Sequence, residues 1–107
     1  MLTLGRRIGE SIIFEYEGKL LELQYYRYTD EYGYTFHIYL NNHFEAEFRF
    51  KARKHTIDFI EQTTPFKFII DDPKISQQKN ERRVTIDCPR YVVIRRKEIK
   101  NFKKGVA

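Results

Sequence analysis

The chain has 107 residues, fewer than the ~150 that a typical domain occupies, which excludes a two-domain enzyme and points to a single domain over 1–107. Twenty Lys and Arg against fifteen Asp and Glu leave a net charge of +5, and 41% of the residues are hydrophobic; this balance excludes a disordered tail and favours an acidic partner such as nucleic acid. The longest uninterrupted apolar run, Tyr91–Ile94, falls far short of the ~18–20 residues of a membrane span, and no apolar leader follows Arg6 and Arg7, so a cytoplasmic protein without a membrane segment is expected.

Eight Tyr and nine Phe with only five Gly suit pleated, half-buried sheet, and a mainly β fold follows. Leu2, Leu4 and Arg6 share one face of a first strand; Gly9 permits a turn, and Glu10–Phe14 returns as the second arm of an opening hairpin. After Gly18, Lys19–Tyr28 reads as a long strand with Leu21, Leu23 and Tyr25 on one face. Asp30 to Gly33 is a turn. Tyr34–Leu40 then alternates with Phe36, Ile38 and Leu40 inward, and Asn41-Asn42 turns into Phe44, Ala46, Phe48 and Phe50 set against Glu45, Glu47 and Arg49, a hairpin. Residues 51–62 fit either a short helix presenting Ile57 and Ile60 or a further strand. Phe66–Ile70 is a strand stopped at Asp72-Pro73, and Lys74–Asn80 is a polar loop. Arg83, Thr85 and Asp87 alternate with Val84 and Ile86. Pro89 breaks the chain, and Tyr91–Arg96 reads as a strand buried on both sides at Val92, Val93 and Ile94. Ile99 and Phe102 at i and i+3, late lysines and Gly105 predict a short terminal helix over Lys97–Lys104.

The charge is unevenly placed. Residues 27–81 hold eight basic and nine acidic side chains, whereas 1–26 and 82–107 together hold twelve basic and six acidic, so the whole surplus lies in the ends. These ends make only 52 residues, and a unit below ~60 residues buries too little surface to be secure alone. A homodimer whose strands pair between chains is therefore expected.

Both ends also carry a resemblance. The opening Met1-Leu2-Thr3-Leu4-Gly5-Arg6-Arg7-Ile8-Gly9-Glu10 resembles the Met-Leu-Ile-Leu-Thr-Arg-Arg-x-Gly-Glu start of the carbon storage regulator (CsrA/RsmA) family. The run from Arg83 through Cys88-Pro89-Arg90-Tyr91-Val92-Val93-Ile94-Arg95-Arg96-Lys97-Glu98-Ile99 is similar to that family's closing run, with its Ala-Pro-x-x-Val-x-Val-His-Arg-x-Glu-Ile. The two matches occur in the family's order over about half the chain. They leave 1–27 and 81–107 as family-like segments around an insertion, 28–80, that contains the β-hairpin. Gly5 stands for the family's Thr, Cys88 for Ala and Arg95 for His.

The resemblance implies a strand-exchanged dimeric β-barrel or sandwich that binds GGA-containing loops of messenger or small RNA and represses translation by covering the ribosome-binding site. It further implies an RNA site made by the first strand of one subunit and the last strand of the other. On this chain that assigns Leu4, Arg6 and Arg7 together with Cys88, Pro89, Ile94, Arg95 and Arg96, Arg96 matching the family's critical arginine. Guanidinium forks supply phosphate contacts and donors to guanine, and free backbone at a strand edge reads unpaired bases.

Other chemistry finds little footing. His37, His43 and His55 fit no metal-ligand spacing, and the lone Cys88 forms no Cys-x-x-Cys pair, so neither metal nor cofactor is expected. Gly5 to Gly9 lacks the spacing and lysine of a phosphate loop. Asp71-Asp72 reads as turn chemistry before Pro73, and Cys88 as a small filler, so no enzyme is indicated. The tyrosines at 25, 26, 28, 32 and 34 suit base stacking and sheet packing equally. The competing reading is a protein-interaction module or antagonist of the same fold, acting through its insertion or through mixed dimers.

Overall fold

The computed structural model describes residues 1–72 and 80–97, which form nine strands: β1 Leu2–Arg7, β2 Ser11–Tyr16, β3 Lys19–Thr29, β4 Gly33–Leu40, β5 His43–Phe50, β6 His55–Glu61, β7 Thr64–Asp71, β8 Glu81–Asp87 and β9 Val93–Lys97. All pairings are antiparallel, and they make two open sheets in the orders β1-β8-β7-β6 and β5-β4-β3-β2-β9. The expected mainly β class holds. The terminal helix lies outside the described residues apart from Lys97, which ends β9, and so does the 74–80 loop apart from Asn80.

Alternation decides which side chains meet between the layers. Ile12, Phe14 and Tyr16 of β2 and Leu21, Leu23 and Tyr25 of β3 are buried, and they face Phe66, Phe68 and Ile70 of β7 and Val84 and Ile86 of β8. Aromatic edges join the sheets, with Phe14 lying 5.4 Å from both Phe66 and Phe68 and Tyr16 5.4 Å from Phe66. Offset and edge-on ring pairs of this kind add to the area they bury. Segment 28–80 is part of this core: it supplies β4 to β7, two strands to each sheet, with Phe36, Ile38, Ile57, Phe66, Phe68 and Ile70 buried.

Several sequence expectations change. Residues 1–16 form no hairpin: β1 pairs with β8 and β2 with β3 and β9, so Ile8 to Glu10 crosses from one sheet to the other, with Gly9 at φ 94°. Alternation assigns faces but not neighbours, and both strands turn apolar residues inward in either arrangement. Of the two forms open to residues 51–62, residues 55–61 take the strand. β9 is an edge strand; Val92 is buried just ahead of it, whereas Val93 is 58% exposed. A register shift between Ile38 and Tyr39 takes Phe44 off the inward face that its spacing from Ala46 implied. Phe44 instead meets His37 and Tyr39 edge-on at 5.1 and 5.9 Å on the outer face, because one extra residue in a bulge reverses the side-chain alternation. The Asn41-Asn42 turn of this hairpin is as expected, with φ of 50° and 69°, the left-handed pair that such a two-residue turn requires.

Candidate nucleic-acid interface

The first and last described strands lie beside each other within one chain. β1 ends one sheet and β9 ends the other, so among the described residues each has one hydrogen-bonded flank and one flank with no strand paired to it, where backbone donors and acceptors face outward. Between them, Met1, Leu2, Ile86, Asp87, Cys88, Pro89, Arg90, Val92 and Ile94 line a cleft of about 260 Å³. At the other end of the pair, Arg6 of β1 donates from Nη1 to the Ser11 carbonyl at 3.2 Å, and Ser11 stands opposite Lys97 of β9. The cleft thus brings Leu2 of β1 and Ile94 of β9 to one opening, and Arg6 ties β1 to β2, the strand that β9 flanks.

The residues assigned from the sequence divide into three groups. Leu4 and Arg6 are structural. Leu4 is buried opposite Val84. Arg6, 5% exposed, donates from Nε to the Gly5 carbonyl at 2.6 Å and lies 3.8 Å from Glu10. Its burial follows from alternation, since it continues the inward face of Leu2 and Leu4, and its charge is tolerated there because carbonyls and a carboxylate receive the guanidinium.

Cys88, Pro89 and Ile94 shape the cleft. The Pro89 carbonyl accepts the Val92 amide at 3.1 Å, which turns the chain into β9. Ile94 is half-buried against the core. Burial pushes the Cys88 thiol up, and Asp87 beside it adds to the shift, which disfavours the nucleophilic thiolate.

Arg7, Arg95 and Arg96 are the exposed cations. Arg95 stands on the outer face of β9 and donates to Glu15 at 2.7 Å. Arg96 is exposed and stands opposite Ile12; among the described residues it has no ion pair. Arg7 is exposed at the end of β1, where its amide, rather than its side chain, bonds Glu10 at 2.9 Å. Arg90, at the rim of the cleft, is exposed as well. Arg83, by contrast, is held by two bonds of 3.0 Å to Asp71, which raise its pKa further.

Sequence reasoning passed over Met1, Leu2 and Arg90 as cleft residues. Leu2 carries an inward-facing pattern but is 41% exposed, because it lies where the layers part. Gly5 faces outward toward Glu81, whose carboxylate would lie 3.1 Å from an added Cβ. His37, on the outer face of β4, is covered by aromatics: it stacks on Tyr26 at 4.0 Å and bonds Glu47 at 2.9 Å. Among the described residues no three His, Cys, Asp or Glu side chains converge as metal ligands would, and no helix is long and apolar enough to cross a membrane. Comparison of the chain with protein-family models, with curated proteins and with solved structures yields no match.

Proposed function

We propose that the protein is an RNA-binding post-transcriptional regulator that takes a GGA-containing loop of messenger or small RNA along its β1–β9 side and represses translation by covering the ribosome-binding site. One observation carries the reading: the two segments that resemble the carbon storage regulator family, far apart in sequence, form two neighbouring sheet edges of one cleft. Exposed Arg7, Arg90 and Arg96 surround this side and suit phosphate contacts and guanine recognition. The free flanks of β1 and β9 offer backbone groups to the Watson–Crick edges of unpaired bases. Leu4 and Arg6 hold the site rather than touch RNA, and no cofactor enters.

Arg96→Ala is expected to weaken binding to a GGA-loop RNA at least tenfold, about 1.4 kcal/mol, and to reduce the salt slope by about 0.7 for each phosphate that is no longer neutralised. Fluorescence anisotropy with GGA and scrambled loops at several salt concentrations measures both. Unchanged affinity for the GGA loop removes the site, and equal affinity for both loops removes sequence selectivity. The second reading, a protein-interaction module, draws on Phe44 and Tyr26, which are 55% and 40% exposed on the outer face of the five-stranded sheet. It predicts a folded protein that ignores GGA RNA and loses a protein partner on Phe44→Ser.

A further inference from the structure

The two sheets are built alike. In one, the meander β2-β3-β4 is flanked at β4 by β5; in the other, the meander β6-β7-β8 is flanked at β8 by β1. Each flanking strand immediately precedes the opposite meander in the chain. β1–β4 and β5–β8 are therefore two copies of one four-strand unit, each lending its first strand to the other's sheet.

The registers bear this out residue by residue. The β2–β3 turn closes on Tyr16 and Lys19 and the β6–β7 turn on Glu61 and Thr64, with Glu17 and Gln62 at matching positive φ of 48° and 56°. Buried Ile12, Tyr16, Leu21, Leu23 and Tyr25 are answered at a constant offset of 45 residues by buried Ile57, Glu61, Phe66, Phe68 and Ile70. Leu23 pairs with Ile38 and Tyr25 with Phe36, as Phe68 pairs with Ile86 and Ile70 with Val84. The equivalent turns also touch, as positions beside a two-fold axis must: Tyr16 Oη donates to Glu61 at 2.8 Å, and Lys19 Nζ reaches Glu61 and Gln62 at 3.2 Å each.

The ninth strand breaks the symmetry. β9 pairs with β2, whereas the matching flank of β6 has no strand among the described residues. The strand equivalent to β1 has also lost its character: β5 stands opposite Phe36 at Phe48 and opposite Tyr34 at Phe50, where β1 places Leu4 and Arg6, and it turns Glu45 and Glu47 outward or to the rim.

We infer that one chain is a complete, internally strand-exchanged pseudo-dimer with a single RNA site, so that it works as a monomer and holds one GGA loop at a time. The inference rests on the RNA reading for its ligand, but not for its assembly. Strand exchange between separate copies depends on their concentration. Here the Asn41-Asn42 turn joins the copies, and a short linker supplies an effective concentration on the order of millimolar, so exchange is complete within the chain. The 52-residue unit formed by the two ends, too small to stand alone, is completed within the same chain by β4 to β7.

Sedimentation equilibrium of the full chain across micromolar concentrations tests the assembly, and titration with a one-GGA hairpin RNA well above the dissociation constant tests the site count. The expected results are the 13.1 kDa monomer mass and a break at one RNA per chain. A stable species of twice that mass overturns the pseudo-dimer, and a break at two RNAs, or at one RNA per two chains, overturns the single site. A monomer that binds no GGA RNA rejects the RNA reading, and the single site with it, while upholding the internal exchange.

Discussion

Arg6→Ala separates a structural arginine from an RNA-contacting one. Its guanidinium donates to the Gly5 and Ser11 carbonyls at 2.6 and 3.2 Å, the second in the opposite sheet, and its side chain is 6% exposed. A hydrogen bond with a charged partner contributes about 1.5–3 kcal/mol, and truncation leaves the Ser11 carbonyl poorly placed for water. The 3.2 Å bond belongs at the low end and the Gly5 bond is local, so we expect a loss of about 3 kcal/mol, corresponding to about 12 °C in Tm for a domain of this size. Urea unfolding followed by tyrosine fluorescence measures the loss. Arg6→Lys, which keeps the charge without the fork, is expected to recover only part of it. A change below about 0.5 kcal/mol, the range of ordinary surface substitutions, refutes the clamp. Arg7→Ala is the matched control: its side chain is exposed, so its unfolding midpoint is expected to stay at the wild-type value.

Phe68 is fully buried in β7 against Phe14 and Phe66, and Phe68→Ala is expected to cost about 3–5 kcal/mol in chemical denaturation; a cost under about 1 kcal/mol contradicts a shared core between the sheets. Stability in acid is expected to depend on Glu47, whose carboxyl is held below its ordinary value of 4.5 by hydrogen bonds from His37 and then Arg49. A depressed carboxylate stabilises the fold above its unfolded pKa, and the contribution disappears as pH falls through the folded one. The denaturation midpoints of wild type and Glu47→Gln should thus differ at pH 6 and draw together as pH falls from about 4.5 through the lower folded pKa; a gap that acidification leaves unchanged disproves the coupling.

Faces were legible in the sequence and neighbours were not. Leu21, Leu23 and Tyr25, or Val84 and Ile86, declare their inward side by period-two alternation, and Asn41-Asn42 declares its turn by the left-handed backbone those residues tolerate. Alternation carries no information on which strand lies alongside, and for that reason β1 and β2 read as a hairpin although they belong to different sheets. Phe44 read as an inward residue because a bulge leaves no mark in the alternation it interrupts. Arg6 and Arg7 are adjacent and chemically identical, yet one is a clamp and the other is exposed, and only its position on the pleat distinguishes them.

By itself, the sequence determined a mainly β chain with its positive charge at the two ends and a family resemblance carried by those ends. Tertiary structure alone decided that residues 28–80 complete both sheets, that β1 and β9 meet across one cleft, and that the chain repeats itself. The repeat is hidden because Leu21 is answered by Phe66 and Tyr25 by Ile70. A core constrains volume and the side of the strand rather than residue identity, so two halves can share a register without sharing letters.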